Sequence, residues 1–299
     1  MAITKQNTLP DPNNNIGTTG STTATNTTAF AGGAVPGFKT LKIDSHAPVM
    51  KTRTNSGRLI ARSIMGHKFT VNITYNPLTR AQFEPIYNFL LDKRGGLKPF
   101  FLSLPQHLQS QAGSIASIKF TGDVNRLRQG NTYVISTVGG TTFSNIGGSS
   151  SPAVGQSFTR SGGTSVNGSG KLKAAAGSTS MVIDGFTNSA STTPQPGDMF
   201  TVTDANDTNH TKMYQITRVE TPNSTNNYDN FPHSSQAALA ASERVIHFIP
   251  GLQRAVSDNS DIIFNTPKMR VILASDVQTY NLNVNNLYTF SLKLEEAQP

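Results

Sequence analysis

The chain has neither cysteine nor tryptophan in its 299 residues. The first absence excludes disulfides and thiolate metal sites, and fits assembly in a reducing cytoplasm. The second leaves only tyrosine and phenylalanine to stack on a sugar ring. Charged residues make up 14% of the chain, so paired carboxylates for glycoside hydrolysis have few acids to draw on. No run of 18 apolar residues occurs, and no membrane-spanning helix is expected. The opening Met1-Ala2-Ile3-Thr4-Lys5-Gln6-Asn7 has no apolar h-region, so no secretory signal is expected.

What remains is a chain rich in Gly, Ser, Thr and Asn, a composition of short strands and turns. Residues 69–105 are its densest stretch. Phe69, Val71, Ile73 and Tyr75 alternate with polar residues, the period of a half-buried strand. Phe83, Ile86, Tyr87 and Leu90 fall at i, i+3, i+4 and i+7, one face of a helix. Two starts fit that helix: Thr79 as N-cap with Gln82 closing a capping box, or Pro85 in the tolerated first position. The first start places Pro85 inside the helix, and a short first turn followed by a regular helix to about Lys93 is preferred. Lys93 and Arg94 belong to the last turn and Gly95 or Gly96 to a left-handed stop. Phe100, Leu102 and Leu104 mark a second apolar strand between Pro99 and Pro105.

Leu41 and Ile43 indicate an earlier strand, and residues 58–65 and 68–75 read as a hairpin about Gly66-His67. Arg270-Val271-Ile272-Leu273 reads as a strand. At the far end Tyr288, Phe290, Leu292 and Leu294 alternate with Thr289, Ser291, Lys293 and Glu295. A one-residue slip there would expose all four apolar side chains and bury a lysine and a glutamate.

The order of strand, helix, Asn88-Phe89-Leu90-Leu91-Asp92-Lys93-Arg94-Gly95-Gly96 and then Leu97-Lys98-Pro99-Phe100-Phe101-Leu102 with Pro105 resembles the minor tail protein of lambda-like phage tail tips and the wider distal tail protein group. Residues 53–65 fit that family's first basic strand, and residues 287–296 look like its closing strand. The resemblance covers residues 39–108 and 267–299. It implies a virion structural protein, not an enzyme, that forms a ring, six-fold by resemblance, joining the tail tube to the tail tip or baseplate of a tailed phage. Its partners would be copies of itself, the tail tube protein and tail-tip or baseplate hub proteins. Nucleic acid would be touched only in transit through the tube, and no membrane is involved. The chain would reside in the virion tail or baseplate after assembly in the host cytoplasm.

These readings give a mainly β chain: a β-sandwich-like core with one α-helix, split by an all-β insertion, plus an extended N-terminal arm. The arm is residues 1–37, the core 38–108 and 267–299, and the insertion 109–266. The arm's Thr, Asn, Gly and Ala cannot bury enough apolar surface to offset an ordering entropy of about 1–2 kcal/mol per residue. It is expected to lie along a neighbouring subunit or to pack on its own. The insertion divides into two modules, about 109–172 and 173–266. Short β-rich runs separated by glycine pairs fill 130–159, and strands are expected at 181–183, 200–202, 213–216, 245–249 and 261–264, with a polar loop at 222–241. Its role is either to clamp neighbouring rings or to bind a host-surface receptor or carbohydrate.

The net charge of +8 is uneven: residues 38–100 hold eleven Lys or Arg against three Asp or Glu. Complementarity to an acidic neighbouring ring explains this better than phosphate contact. Only Lys68-Phe69 and Lys98-Pro99-Phe100 interleave a cation with an aromatic ring.

No catalytic, cofactor or metal site is expected. Asp44-Ser45-His46 holds triad residue types, but adjacency in sequence does not make partners that converge in space. Asp204, Asn206, Asp207 and His210 lack the glycine and distal glutamate of a calcium loop. His67, His107, His233 and His247 show no ligand spacing, and Ser161-Gly162-Gly163 has no lysine or strand-to-helix context for a phosphate loop.

Overall fold

Alternating apolar residues become strands wherever a neighbouring strand can take their backbone groups. The computed structural model describes residues 7–10, 38–63, 66–104, 107, 110–115, 117–161, 168–187, 192–222 and 239–297. Strands β1 (Phe38–His46), β2 (Val49–Arg53), β3 (Leu59–Ser63), β4 (Lys68–Tyr75) and β5 (Phe100–Ser103) come first, with helix α1 (Arg80–Asp92) between the last two. Then follow β6 (Lys119–Phe120), β7 (Thr132–Thr137), β8 (Ser157–Thr159), β9 (Lys171–Ala174) and β10 (Ser180–Asp184). Next are β11 (Met199–Thr203), β12 (Met213–Glu220), β13 (Arg244–Ile249) and β14 (Asp261–Ile263). Last come β15 (Lys268–Leu273), β16 (Tyr280–Leu282) and β17 (Tyr288–Glu296). The chain is mainly β, with a single α-helix among the described residues. It forms two compact units, one of residues 2–105 with 268–298 and one of residues 106–267.

The first unit is built on an antiparallel sheet in the order β1-β4-β17-β15-β5, with β16 on the first half of β17. Leu292 pairs with Ile73 and Leu294 with Val71, so the apolar residues of both strands share one face. Leu41 and Ile43 of β1 join that face opposite Ile73 and Val71, and Met269, Val271, Phe100 and Leu102 extend it. Helix α1 covers it with Phe83, Ile86 and Leu90, all buried. Phe83 meets Phe290 edge-on at 5.3 Å and Tyr288 face-on at 4.5 Å. The opposite face is polar, with Lys68 paired to Glu295 at 3.0 Å.

The helix begins at Thr79. The Thr79 N–H and hydroxyl both donate to Gln82 Oε1, at 3.0 and 3.1 Å, the reaching-back half of a capping box. Pro85 therefore lies inside the helix, where it leaves the Ala81 carbonyl without its i+4 donor. The stop comes one residue before the glycines: Lys93 is the C-cap, and Arg94 (φ 53°) and Gly95 (φ 64°) are the left-handed pair, whereas Gly96 is not. Lys93 itself is buried, its Nζ between Asp92 and Asn7 at 3.3 Å each and 4.3 Å from the Phe89 ring centroid.

One expectation changes. Residues 59–63 do not pair with β4. They pair with β2 through a turn in which Gly57 takes φ 80° and its N–H donates to the Thr54 carbonyl. The partner of β4 on that side is β1. The competing turn signal, Asn55-Ser56-Gly57, is nearer and tighter than Gly66-His67. The arm is the case left open between a neighbouring subunit and its own chain. Its described residues, 7–10, lie on their own chain: Thr8 bridges Phe101 in parallel, and the Leu9 N–H donates to the Phe101 carbonyl at 2.8 Å. Leu9 is buried. The rest of the arm lies outside the described residues.

The second unit holds a closed six-stranded barrel, β10-β13-β12-β11-β14-β6, and a three-stranded sheet, β8-β7-β9. Phe200 centres the apolar core of the barrel strands, 5.3 Å from both Tyr214 and Phe248 and 5.8 Å from Phe264. The small sheet has its own core of Tyr133, Ile135, Phe143, Ile146, Phe158 and Leu172. A cut at 172/173 would strand β6, which precedes the small sheet in sequence but closes the barrel between β10 and β14. Most of the expected loop at 222–241 lies outside the described residues. The unit leaves the first one after β5 and returns at β15, and those strands are partners, with Ser103 opposite Lys268.

The glycines at 57 and 95 carry different loads. A Cβ at Gly57 would meet nothing within 4 Å, whereas one at Gly95 would lie 2.5 Å from Asp276 Oδ1 and 3.2 Å from Asp276 Cα. Both substitutions to alanine incur the left-handed penalty of about 1–2 kcal/mol. Gly95→Ala should therefore destabilise the chain clearly more than Gly57→Ala in urea unfolding. Equal midpoints would show that the Asp276 loop yields freely.

Candidate interaction surface

The residues that invite a chemical reading are held by structure instead. Asp44 is paired with Lys42 at 3.0 Å, Ser45 Oγ lies 2.8 Å from His67 Nε2, and His46 Nε2 lies 3.1 Å from Thr70 Oγ1. The three side chains of this string thus have three different partners. In the 204–210 string, Asp204 Oδ1 accepts the Asn206 N–H and Oδ2 the Ser257 N–H, each at 2.8 Å. Burial opposes its charge, but these donors outweigh burial and hold the carboxyl below the usual range. Asp207 is bonded to Arg254, which lowers it further. Among the described residues no group of three or more metal-ligating side chains converges.

The histidines likewise serve the fold. His247 Nε2 lies 2.6 Å from Glu220 Oε1 and 3.0 Å from Arg218 Nη2. Burial pushes the His107 imidazole below its ordinary value. His233, Gly162 and Gly163 lie outside the described residues.

What the first unit does present is surface that it does not use. Residues 47–67 connect the paired strands β1 and β4, and in place of a tight turn they carry the β2–β3 ribbon. All five residues of β2 are exposed, and Val49, Met50, Leu59 and Ile60 are 44–63% exposed. Pairing sets Val49, Lys51, Arg53, Leu59 and Ala61 on one side and Met50, Thr52, Ile60 and Arg62 on the other. Each side therefore mixes apolar and cationic groups. The segment holds Lys51, Arg53, Arg58 and Arg62 and no acid. None of the four has an ion pair among the described residues.

A second apolar set surrounds the 274–287 segment. Val277, Tyr280, Leu282 and Val284 are exposed, the last at 98%. Asp276 Oδ1 accepts the Gly96 N–H at 3.3 Å, which brings the exposed Leu97 end of the helix stop beside this segment. Strand β1 adds a long sheet edge, since β4 is its only strand partner among the described residues. A two-stranded ribbon is marginal alone in water, and an open edge is a template for another chain. These features suit contact with protein, and the cations favour an acidic counterpart.

Sequence reasoning missed the ribbon because it assigned residues 58–65 to β4. The signal that identifies it is the Asn-Ser-Gly turn flanked by two five-residue β-prone runs. No protein-family model matches this chain, and no curated protein sequence matches it significantly.

One residue of the 204–210 string makes a measurable pH prediction. His210 is buried, with Nε2 2.7 Å from the Tyr214 hydroxyl, and burial pushes its pKa down to about 4. The unfolded chain takes up that proton near the ordinary value of 6.5. Stability should thus fall as pH drops from about 6.5 to about 4, by an upper bound of about 3 kcal/mol, and then level off for this group. In His210→Gln the slope of the urea midpoint over this window should flatten. An unchanged slope would assign the loss to other groups.

Proposed function

We propose that this chain is a structural protein of a tailed-phage virion, and that copies of it form a ring joining the tail tube to the tail tip or baseplate. The observation that supports this best is the β2–β3 ribbon, a cationic and apolar element whose two sides are open to contact. A second copy can bury either side, and a repeated head-to-tail contact whose rotation closes gives a ring. The sheet edge at β1 and the apolar segment 277–284 supply further unshared surface on the same unit. The order of strand, helix, stop and aromatic strand that resembles the tail-tip and distal tail proteins supports the same reading. Catalysis forms no part of the proposal.

In this reading the excess of positive charge in residues 38–100 meets an acidic face of the next subunit or ring. Contacts of this type set register and orientation more than total affinity, and they weaken as salt rises.

The ribbon provides the test. Substituting Met50→Glu and Ile60→Glu together changes only exposed side chains, so each should alter stability by about 0.5 kcal/mol or less. The double variant should keep the native circular dichroism and unfolding midpoint. The native chain should form an oligomer by light scattering that the variant loses, and the variant should not enter tails in a complementation assay. Native incorporation of the variant, or absence of the native chain from purified tails, would overturn the proposal.

A further inference from the structure

The insertion contains a buried cation whose charge nothing among the described residues answers. Arg160 follows β8 directly. Its N–H donates to the Asn131 carbonyl and its carbonyl accepts from the Gly130 N–H, both at 2.9 Å, so the backbone is pinned beside the start of β7. The residue is 6% exposed, yet neither Nε nor Nη1 has a hydrogen-bond partner among the described residues. No acidic side chain among the described residues forms an ion pair with it. A buried charge is ordinarily paired and hydrogen-bonded, because the solvation it loses is otherwise not replaced.

A second buried guanidinium stands nearby. Arg128 is 8% exposed, and its backbone N–H donates to the Tyr133 hydroxyl at 3.0 Å. The Tyr133 ring lies against Phe158, two residues before Arg160, with centroids 6.3 Å apart. Burial raises the Tyr133 phenol, while its bond to the Arg128 backbone and the charges of Arg128 and Arg160 act in the opposite sense. Both guanidinium groups thus act on one buried hydroxyl in the three-stranded module. Arg128 also acts on the buried Glu220 carboxylate, which leaves Arg160 as the charge to be answered.

We propose that Arg160 forms a seat for a small oxyanion: a carboxylate, sulfate or phosphate group. The planar guanidinium presents its N–H groups in a fork that matches two oxygens of such an ion. A halide offers one acceptor point and leaves part of the fork unanswered. The ligand would supply the hydrogen bonds that Nε and Nη1 of Arg160 lack and neutralise its charge. This site lies in the insertion and is independent of the ring reading, so either stands if the other fails.

The test uses the full chain and inorganic probes. Chloride is exchanged for sulfate, phosphate or acetate at constant ionic strength, and the thermal midpoint is followed for the native protein, Arg160→Gln and Arg160→Met. Sulfate and phosphate stabilise proteins generally, so the readout is the difference between native and variant. The native midpoint should rise with at least one oxyanion by several degrees more than that of Arg160→Gln, following a saturable curve. A response to acetate alone would identify a carboxylate, and a response to all three a general oxyanion seat. In chloride alone Arg160→Met should match or exceed the native midpoint, because an unpaired buried charge has been removed. Parallel responses of native and Arg160→Gln to every oxyanion would overturn the proposal. So would a loss of stability in Arg160→Met in chloride, which would mark Arg160 as a packing residue with partners enough.

Discussion

The pairing of β4 with β17 is the constraint on which the first unit depends. Lys68 and Glu295 lie 227 residues apart in sequence and meet across this pair at 3.0 Å. Val71 and Ile73 are fixed opposite Leu294 and Leu292, and a slip of one position would turn both apolar rows to the polar side. Only in this register does the sheet offer α1 a continuous apolar face, and only then do Phe83, Ile86 and Leu90 have something to cover. The second half of the pair therefore determines whether the first half folds, although a whole unit is made in between. Such long-range pairing is slow to find, since loop closure precedes any contact that rewards it.

Much of this was legible in the sequence because period is a local property. The alternation at 69–75 and 288–294 located two strands and the face they bury, and Phe83, Ile86 and Leu90 located the inward stripe of the helix. Apolar runs in the insertion likewise located β10 to β14. What could not be read was partnership. Residues 58–65 carry the same β-prone composition whether they pair with β2 or β4, and only the turn at Gly57 tells them apart. Membership of β6 in the barrel was equally hidden, since two residues carry no period and the small sheet intervenes. The helix stop shows a third limit. A pair of glycines promises a left-handed residue, but the conformation fell on Arg94 and Gly95, where the neighbouring Asp276 loop approaches.

The candidate surface was less legible than the fold. Val49, Met50, Leu59 and Ile60 look like core residues by type, and nothing in their spacing says that the chain leaves them outside. Apolar exposure follows from the absence of a covering layer, a property of the whole fold and not of a segment. Arg160 is the converse case. A lone arginine among Ser, Thr and Gly reads as solvated, yet Arg160 is buried. In the 204–210 string, backbone N–H groups and Arg254 take up the carboxylates, partners that the spacing of the string does not show.

The place where the insertion begins and ends has a consequence for how such a chain can diversify. Ser103 and Lys268 face each other on adjacent antiparallel strands, a spacing that a short hairpin turn could bridge. The core thus has a socket at one position, and anything whose two ends come together can be plugged into it without disturbing the strands on either side. Loss, exchange or doubling of the inserted part leaves the host sheet the same, so ancestry of the two parts need not coincide. The scaffold and its cargo are free to evolve at separate rates.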